Sequence, residues 1–132
     1  MLKAKIDSGA TRAITQFVFD TEAHLRYRDA LAAANVSIPV IPGIMPTTNF
    51  VGAKRMALAT GASVPAWLEA HYRGLEDDAD TRKYIAASVA VDQCRKLIEE
   101  GFEDLHFYTL NQADLTFAVC RILGLGTQTD VA

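Results

Sequence analysis

Cysteine is scarce in this chain. Cys94 and Cys120 lie far apart, with no Cys-x-x-Cys spacing, and both fall inside helical patterns. They are expected to be reduced core thiols of a cytoplasmic protein. Long hydrophobic runs are also missing: nothing approaches the roughly 20 apolar residues that a membrane helix needs. The opening residues MLKAKIDSGA hold no apolar signal-peptide core. Positive charge is not in excess. The net charge is −3 and the pI about 5.5, which argues against a nucleic-acid binder with a broad basic face. The familiar catalytic motifs are absent too: Gly-x-Ser-x-Gly, His-Glu-x-x-His, Gly-x-Gly-x-x-Gly and the P-loop do not occur. No linker, low-complexity tract or sequence repeat breaks the chain. At 132 residues, half of them hydrophobic, it reads as one soluble globular domain.

What is present is a recurring pattern. Three short apolar segments, Arg12–Asp20 (RAITQFVFD), Ile38–Pro46 (IPVIPGIMP) and Asp104–Asn111 (DLHFYTLN), each end in polar or turn-forming residues. Each is followed by an amphipathic helical pattern. This is the grammar of a parallel (β/α) barrel, whose active site lies where the strands end. A barrel needs eight such units, and three are present. On the first strand Ala13, Thr15, Phe17 and Phe19 share one face, and Ile14, Gln16 and Val18 the other. Both faces are mostly apolar, as in a strand covered on both sides. Pro39, Pro42 and Pro46 make the second strand irregular, and Pro42-Gly43 predicts a bend or bulge there. The third puts Leu105 and Phe107 on one face and His106 and Tyr108 on the other.

The helical segments follow from caps and spacing. Leu2–Ser8 reads as the end of a helix with no N-cap or preceding strand, so sequence is expected before Met1. Asp20 caps a helix whose stripe is Ala23, Tyr27, Ala30, Leu31 and Ala34. Thr48 caps a helix over Asn49–Thr60, and Pro65 opens Ala66–Tyr72. The acidic run Glu76–Asp80 suits the first turn of the helix Ala79–Glu100, where the macrodipole favours carboxylates; no His or Cys sits at ligand spacing, and no metal site is expected. That helix buries Ala86, Val89, Ala90, Cys94, Leu97 and Ile98. Asn111 and Asp114 resemble a capping box for a last helix ending near Leu123, with 126–132 as a tail.

Few residues stand out chemically. His24 falls on a charged helix face and is expected to be exposed, His71 lies near a loop, and mid-strand His106 is expected to be a hydrogen-bonded core residue. Gln16 is the odd member of its apolar strand face. A buried amide is costly unless hydrogen-bonded. Its one acceptor and two donors suit a planar heterocycle with adjacent N–H and ring-nitrogen groups; they suit equally a structural bond to a neighbouring strand. Tyr108 closes the third strand as a stacking or donating group, or as plain core. Lys5 on the first helix reads as solvated.

The runs KIDSGATRAITQFVFD, IPVIPGIMPTTNF, VPAWL, LEDDADTRKYIAASVA and DLHFYTLNQADLTFAVCRILG resemble methylenetetrahydrofolate reductase, without gaps to about Leu125. The resemblance implies an α/β fold, with residues 1–125 forming the last three βα units, strands six to eight, of a (β/α)8 TIM barrel. It implies FAD at the strands' C-terminal ends, and NAD(P)H-driven reduction of 5,10-methylenetetrahydrofolate to 5-methyltetrahydrofolate. It assigns Gln16 to the pterin, Leu110 to the folate site, and Ile14, Tyr108 and Lys5 to FAD. Met56 stands where relatives place a Phe against the substrate or nicotinamide, and Gln112 where an Arg often follows YTLN. Ala4 and Gly52 depart from an Arg and a Gln, and a FAD-contacting Asn aligns with Met1. The general-acid Glu and most FAD contacts belong to the five strands not present. No catalytic residue is therefore expected in this chain, and its partner is expected to be the missing N-terminal half-barrel or a second copy of itself. The alternative is a non-catalytic or split-gene subunit folded against a separate half.

Overall fold

The computed structural model describes residues 2–110 and 112–125. Three parallel strands, β1 (Ala13–Phe17), β2 (Val40–Ile44) and β3 (His106–Phe107), form one sheet in the order β1-β2-β3. Six helices complete the order: α1 (Leu2–Asp7) before β1, α2 (Thr21–Ala33) after it, α3 (Phe50–Ala59), α4 (Ala66–Tyr72) and α5 (Ala79–Glu99) after β2, and α6 (Ala113–Leu123) after β3. The strand–helix alternation is the one read from the sequence. The hydrogen-bonded strands are shorter than the apolar segments. Proline has no N–H to give a ladder, and β3 has a partner on one side only among the described residues.

Caps mark the helix starts. The Asp20 carboxylate accepts from the Glu22 amide, and Asp78 Oδ1 accepts from the Thr81 amide. This gives part of the acidic run its structural role. The cap of α3 is Asn49, not Thr48: the Asn49 side chain accepts from the Gly52 amide at 3.1 Å. Gln112 occupies the N-cap position of α6 without a side-chain capping bond. The capping box expected from Asn111 lies outside the described residues, as does the tail 126–132.

Pro42 does distort the sheet, but the extra residue is on the opposite strand. Ile14 pairs with Ile41 and Phe17 with Gly43, so three steps along β1 match two along β2. β1 therefore carries the bulge, beside Thr15 and Gln16. A bulge bends its strand and re-aims a side chain.

Two apolar clusters hold the sheet. One gathers Phe17, Phe19 and Met45 with Phe50, Ala57, Leu68 and Tyr72 from α3 and α4. The other packs Ile44 and Leu25 with Ala90, Cys94 and Leu97 of α5 and Val119 of α6. Burial lifts the Cys94 thiol to about 12, so it stays protonated and apolar in character. Both cysteines are free thiols. The second face of β1 is not covered: Ile14 is 50% exposed and Gln16 is exposed. The expectation of a strand buried on both faces is thus corrected. On α5, Ile98 is exposed and Val91 takes its place in the core.

Helix α2 departs most from its expected stripe. Tyr27, Ala30 and Ala34 are exposed, whereas His24 and Leu25 are buried. His24, expected in solvent, lies with its ring edge to Phe102 at 5.1 Å, and its Nε2 has no hydrogen-bond partner. Arg28 lies over the other part of this packing, its guanidinium above Phe102 and donating to the Glu100 carbonyl. Burial, and secondarily Arg28, hold the His24 pKa below its ordinary value. The unfolded chain therefore takes up a proton, near the ordinary histidine pKa of about 6.5, that the folded chain resists. Stability is expected to fall as pH drops below that value, until the folded imidazole also protonates. Urea midpoints at pH 7.5 and 5.5 measure this. His24→Phe should flatten the difference, and an unchanged difference in that variant would refute the assignment.

Candidate functional site

The bulge organises the ends of the strands. Pro42 offers no amide, and the bulge takes the next β2 amide, Gly43 N–H, out of register with the β1 carbonyls. The Thr15 hydroxyl accepts that amide at 3.0 Å and donates its own proton to the Gln16 carbonyl at 2.9 Å. On the third strand, Tyr108 OH donates to the Thr15 carbonyl at 2.8 Å, and its amide donates to the Ile44 carbonyl. The Tyr108 ring stands edge-on to Phe17 and to His106. His106 is half-buried and its imidazole has no hydrogen bond among the described residues, so it is not the hydrogen-bonded core residue expected. Room for this arrangement comes from Gly43. A β-carbon there would lie 2.6 Å from Tyr108 Cε2 and 2.7 Å from the Thr15 carbonyl oxygen.

Along the edge of β1 that pairs with no strand among the described residues runs an open cleft of about 770 Å³. It brings together Lys5, Ile14 and Gln16, three of the residues singled out in the sequence, with His24 and Tyr27 of α2. The Gln16 amide makes no hydrogen bond among the described residues, so the structural alternative for it, a bond to a neighbouring strand, is not realised here. Lys5 is exposed and forms no ion pair among them. The Tyr108 hydroxyl, by contrast, is engaged, and its half-buried ring packs against the Phe17 cluster.

A second, smaller pocket of about 100 Å³ lies where β2 and β3 end. It is lined by Met56 of α3, Leu110 and Gln112, three more of the residues singled out; the seventh, Tyr108, lines neither cleft. The Thr48 hydroxyl donates to Gln112 Oε1 at 2.9 Å, which ties the β2 loop to the start of α6. Leu110 has φ 46°, a left-handed conformation uncommon for a branched apolar residue, and its side chain is 59% exposed. The β2 loop is fixed from behind. Tyr72 stacks on Phe50 with its hydroxyl donating to the Thr47 carbonyl, and Arg82 donates to the carbonyls of Thr48, Leu75 and Glu76. Burial pushes the Tyr72 phenol up to about 12, so it remains a donor at neutral pH.

Among the described residues, neither cleft is lined by a carboxyl group. Sequence reasoning missed Thr15, Gly43 and Thr48 as site-building residues. The available signal was Pro42: a strand that cannot donate at one position must be met by something other than a regular ladder.

Comparison with known proteins decides the family. The sequence profile described as methylenetetrahydrofolate reductase matches residues 1–124. The chain belongs to the methylenetetrahydrofolate reductase family. It is 48% identical over 124 residues to the 5,10-methylenetetrahydrofolate reductase of Escherichia coli (strain K12), covering 94% of this chain and 42% of that protein, in its C-terminal part. It is 31% identical over 131 residues to methylenetetrahydrofolate reductase (NADH) 1 of Arabidopsis thaliana, covering 99% of this chain and 22% of that protein. This member of the family thus spans less than half the length of the curated relatives it matches. Among solved structures it shares its fold with an uncharacterized protein from Clostridium thermocellum that binds two copies of 5-methyl-5,6,7,8-tetrahydrofolic acid. The TM-score is 0.52 at 20% identity, over 92% of this chain and 46% of that one.

Proposed function

We propose that this chain is the folate-binding share of a FAD-dependent methylenetetrahydrofolate reductase, which reduces 5,10-methylenetetrahydrofolate to 5-methyltetrahydrofolate with NAD(P)H in the cytoplasm. The observation that carries this is the Gln16 amide, exposed in a cleft beside an apolar Ile14 and Lys5, with no side-chain partner for either Gln16 or Lys5 among the described residues. An amide offers an acceptor and two donors in one plane, which matches the edge of a pterin. Ile14 offers an apolar surface to a ring, and Lys5 a cation to phosphate. These residues fit a flavin together with a folate. Bound flavin supplies the hydride chemistry between nicotinamide and folate. The chain's own residues orient: Gln16 would hold the pterin, Tyr108 present its ring, and Met56, Leu110 and Gln112 flank the folate further along the strand ends. With no carboxyl group in either cleft, the proton donor would come from the part of the barrel that completes the sheet.

A second reading, a split-gene or non-catalytic subunit that folds against a separate N-terminal half, draws on the open β1 edge and on the exposed Phe117 and Ile122 of α6. The two readings share the folate contact. Replacing Gln16 by Ala removes hydrogen bonds worth about 1–3 kcal/mol in a site closed from water. The Gln16→Ala change is expected to weaken 5-methyltetrahydrofolate binding roughly ten- to hundredfold. Calorimetric titration of the chain, alone and joined to the N-terminal part of the Escherichia coli relative, makes the measurement. Equal affinity of wild type and variant in both settings would sink the reading.

A further inference from the structure

We propose that Thr15 is the positioning residue of this site, setting the pose of both Gln16 and Tyr108 through a single hydroxyl and a single carbonyl. The proposal rests on the reading that Gln16 meets the folate, and it adds what aims that amide. Three observations carry it. First, the register slip between Ile14 and Phe17 places Thr15 and Gln16 on the bulge itself, where the ladder does not determine backbone orientation. Second, the Thr15 hydroxyl takes the place of a ladder carbonyl. It accepts from Gly43 N–H and donates to the Gln16 carbonyl, so both of its roles are used and the Gln16 peptide is held from its own neighbour. Third, the Thr15 carbonyl receives the Tyr108 hydroxyl from across β2, with Gly43 lying beneath the Tyr108 ring.

The chemistry requires a hydroxyl on the β-carbon of residue 15. A valine would keep the shape and the strand preference, but it would leave the buried Gly43 N–H without an acceptor and the Gln16 carbonyl without that donor. A serine would keep both bonds. The arrangement therefore separates by substitution: Val tests the hydroxyl, Ser tests the methyl group.

The experiment uses the full chain, labelled for amide exchange. In Thr15→Val, exchange of the Gly43 amide is expected to quicken about tenfold relative to wild type, in line with one buried hydrogen bond lost. In Thr15→Ser it should stay within about threefold of wild type. Binding of 5-methyltetrahydrofolate is read on the same proteins joined to the N-terminal part of the Escherichia coli relative. Thr15→Val is expected to weaken it about fivefold or more, with Thr15→Ser restoring it. Adding Gln16→Ala to Thr15→Val should cost less than the product of the two single effects, because both act through one amide. Unchanged Gly43 exchange in Thr15→Val, or fully multiplicative effects, would overturn the proposal. If Thr15→Val does not fold, Thr15→Ser decides: wild-type exchange and affinity uphold it, and loss of Gly43 protection with the hydroxyl still in place overturns it. Should Gln16→Ala alone leave folate affinity unchanged, the functional reading fails while the Gly43 exchange result still judges the role of Thr15.

Discussion

Purified alone and supplied with FAD, NADH or NADPH, and 5,10-methylenetetrahydrofolate, the chain is expected to show no measurable turnover. Joined to the N-terminal part of the Escherichia coli relative, it is expected to regain it. The argument is physical. Among the described residues two flanks of the sheet are open: β1 has no strand on its outer edge and Ile14 is half in water, and α6 leaves Phe117 67% exposed. The cleft that holds Gln16 and Lys5 is open, so bulk water would reach any reacting atoms. No carboxyl group lines it, and a positioned general acid alone contributes about 10²–10⁴ in rate. The assay is oxidation of the reduced nicotinamide, coupled to detection of the methyl product. Turnover by the chain alone, at a rate near that of the joined protein, would refute the proposal that it is one share of a barrel.

Gly43→Ala is expected to be the most damaging single methyl that can be added to the sheet. The new β-carbon would meet Tyr108 Cε2 at 2.6 Å and the Thr15 carbonyl oxygen at 2.7 Å, with the Gln16 carbonyl oxygen at 3.0 Å. Tyr108 can swing away, but the two carbonyls are backbone within a bulge and cannot yield without moving β1. Overpacking of this kind costs about 1–3 kcal/mol, or roughly 5–10 °C in melting temperature for a domain of this size. Folate affinity should fall as well, since the same shift moves Gln16. Thermal unfolding by circular dichroism checks the first effect. The double change Gly43→Ala with Tyr108→Ala should recover only part of the loss, because Thr15 remains in the way. An unchanged melting temperature in Gly43→Ala would show that the bulge is softer than its geometry implies.

Much of this was legible in the residues. Alternating apolar segments and capped helices marked three βα units. Asp20 acts as the N-cap its position implied, the acidic run before α5 does sit at that helix's start, and Gln16 stood out as an amide on an apolar strand face. Other features were not legible, for definable reasons. The buried face of α2 turns on Leu25 and His24, because the helix packs on α5 through Leu25 and on Phe102 through His24. Neither partner is near in sequence, and the Ala23–Tyr27–Ala30 periodicity points to a different face. The bulge was placed at Pro42-Gly43, where the missing donor is, whereas the extra residue lies on β1. A donor lost on one strand is accommodated by whichever strand can bend, and this depends on pairing. Thr48 was a plausible cap by type, but Asn49 reaches the Gly52 amide, leaving Thr48 free to bond Gln112 across the strand ends.

By itself, the sequence determined the class of the fold, the family, and the residue types offered to a ligand: the amides of Gln16 and Gln112, the Lys5 cation, and the apolar or aromatic Ile14, Met56, Tyr108 and Leu110. These depend on local periodicity, on caps and on runs such as ITQFVFD and HFYTLN, all of which are readable within a few residues. Only the tertiary structure decided which of them meet. Lys5, Ile14 and Gln16 share one cleft and Met56, Leu110 and Gln112 another, with Thr15 and Tyr108 bonded between the first strand and the third. The physical reason is that strand register sets these meetings, and here a single extra residue opposite a proline sets the register.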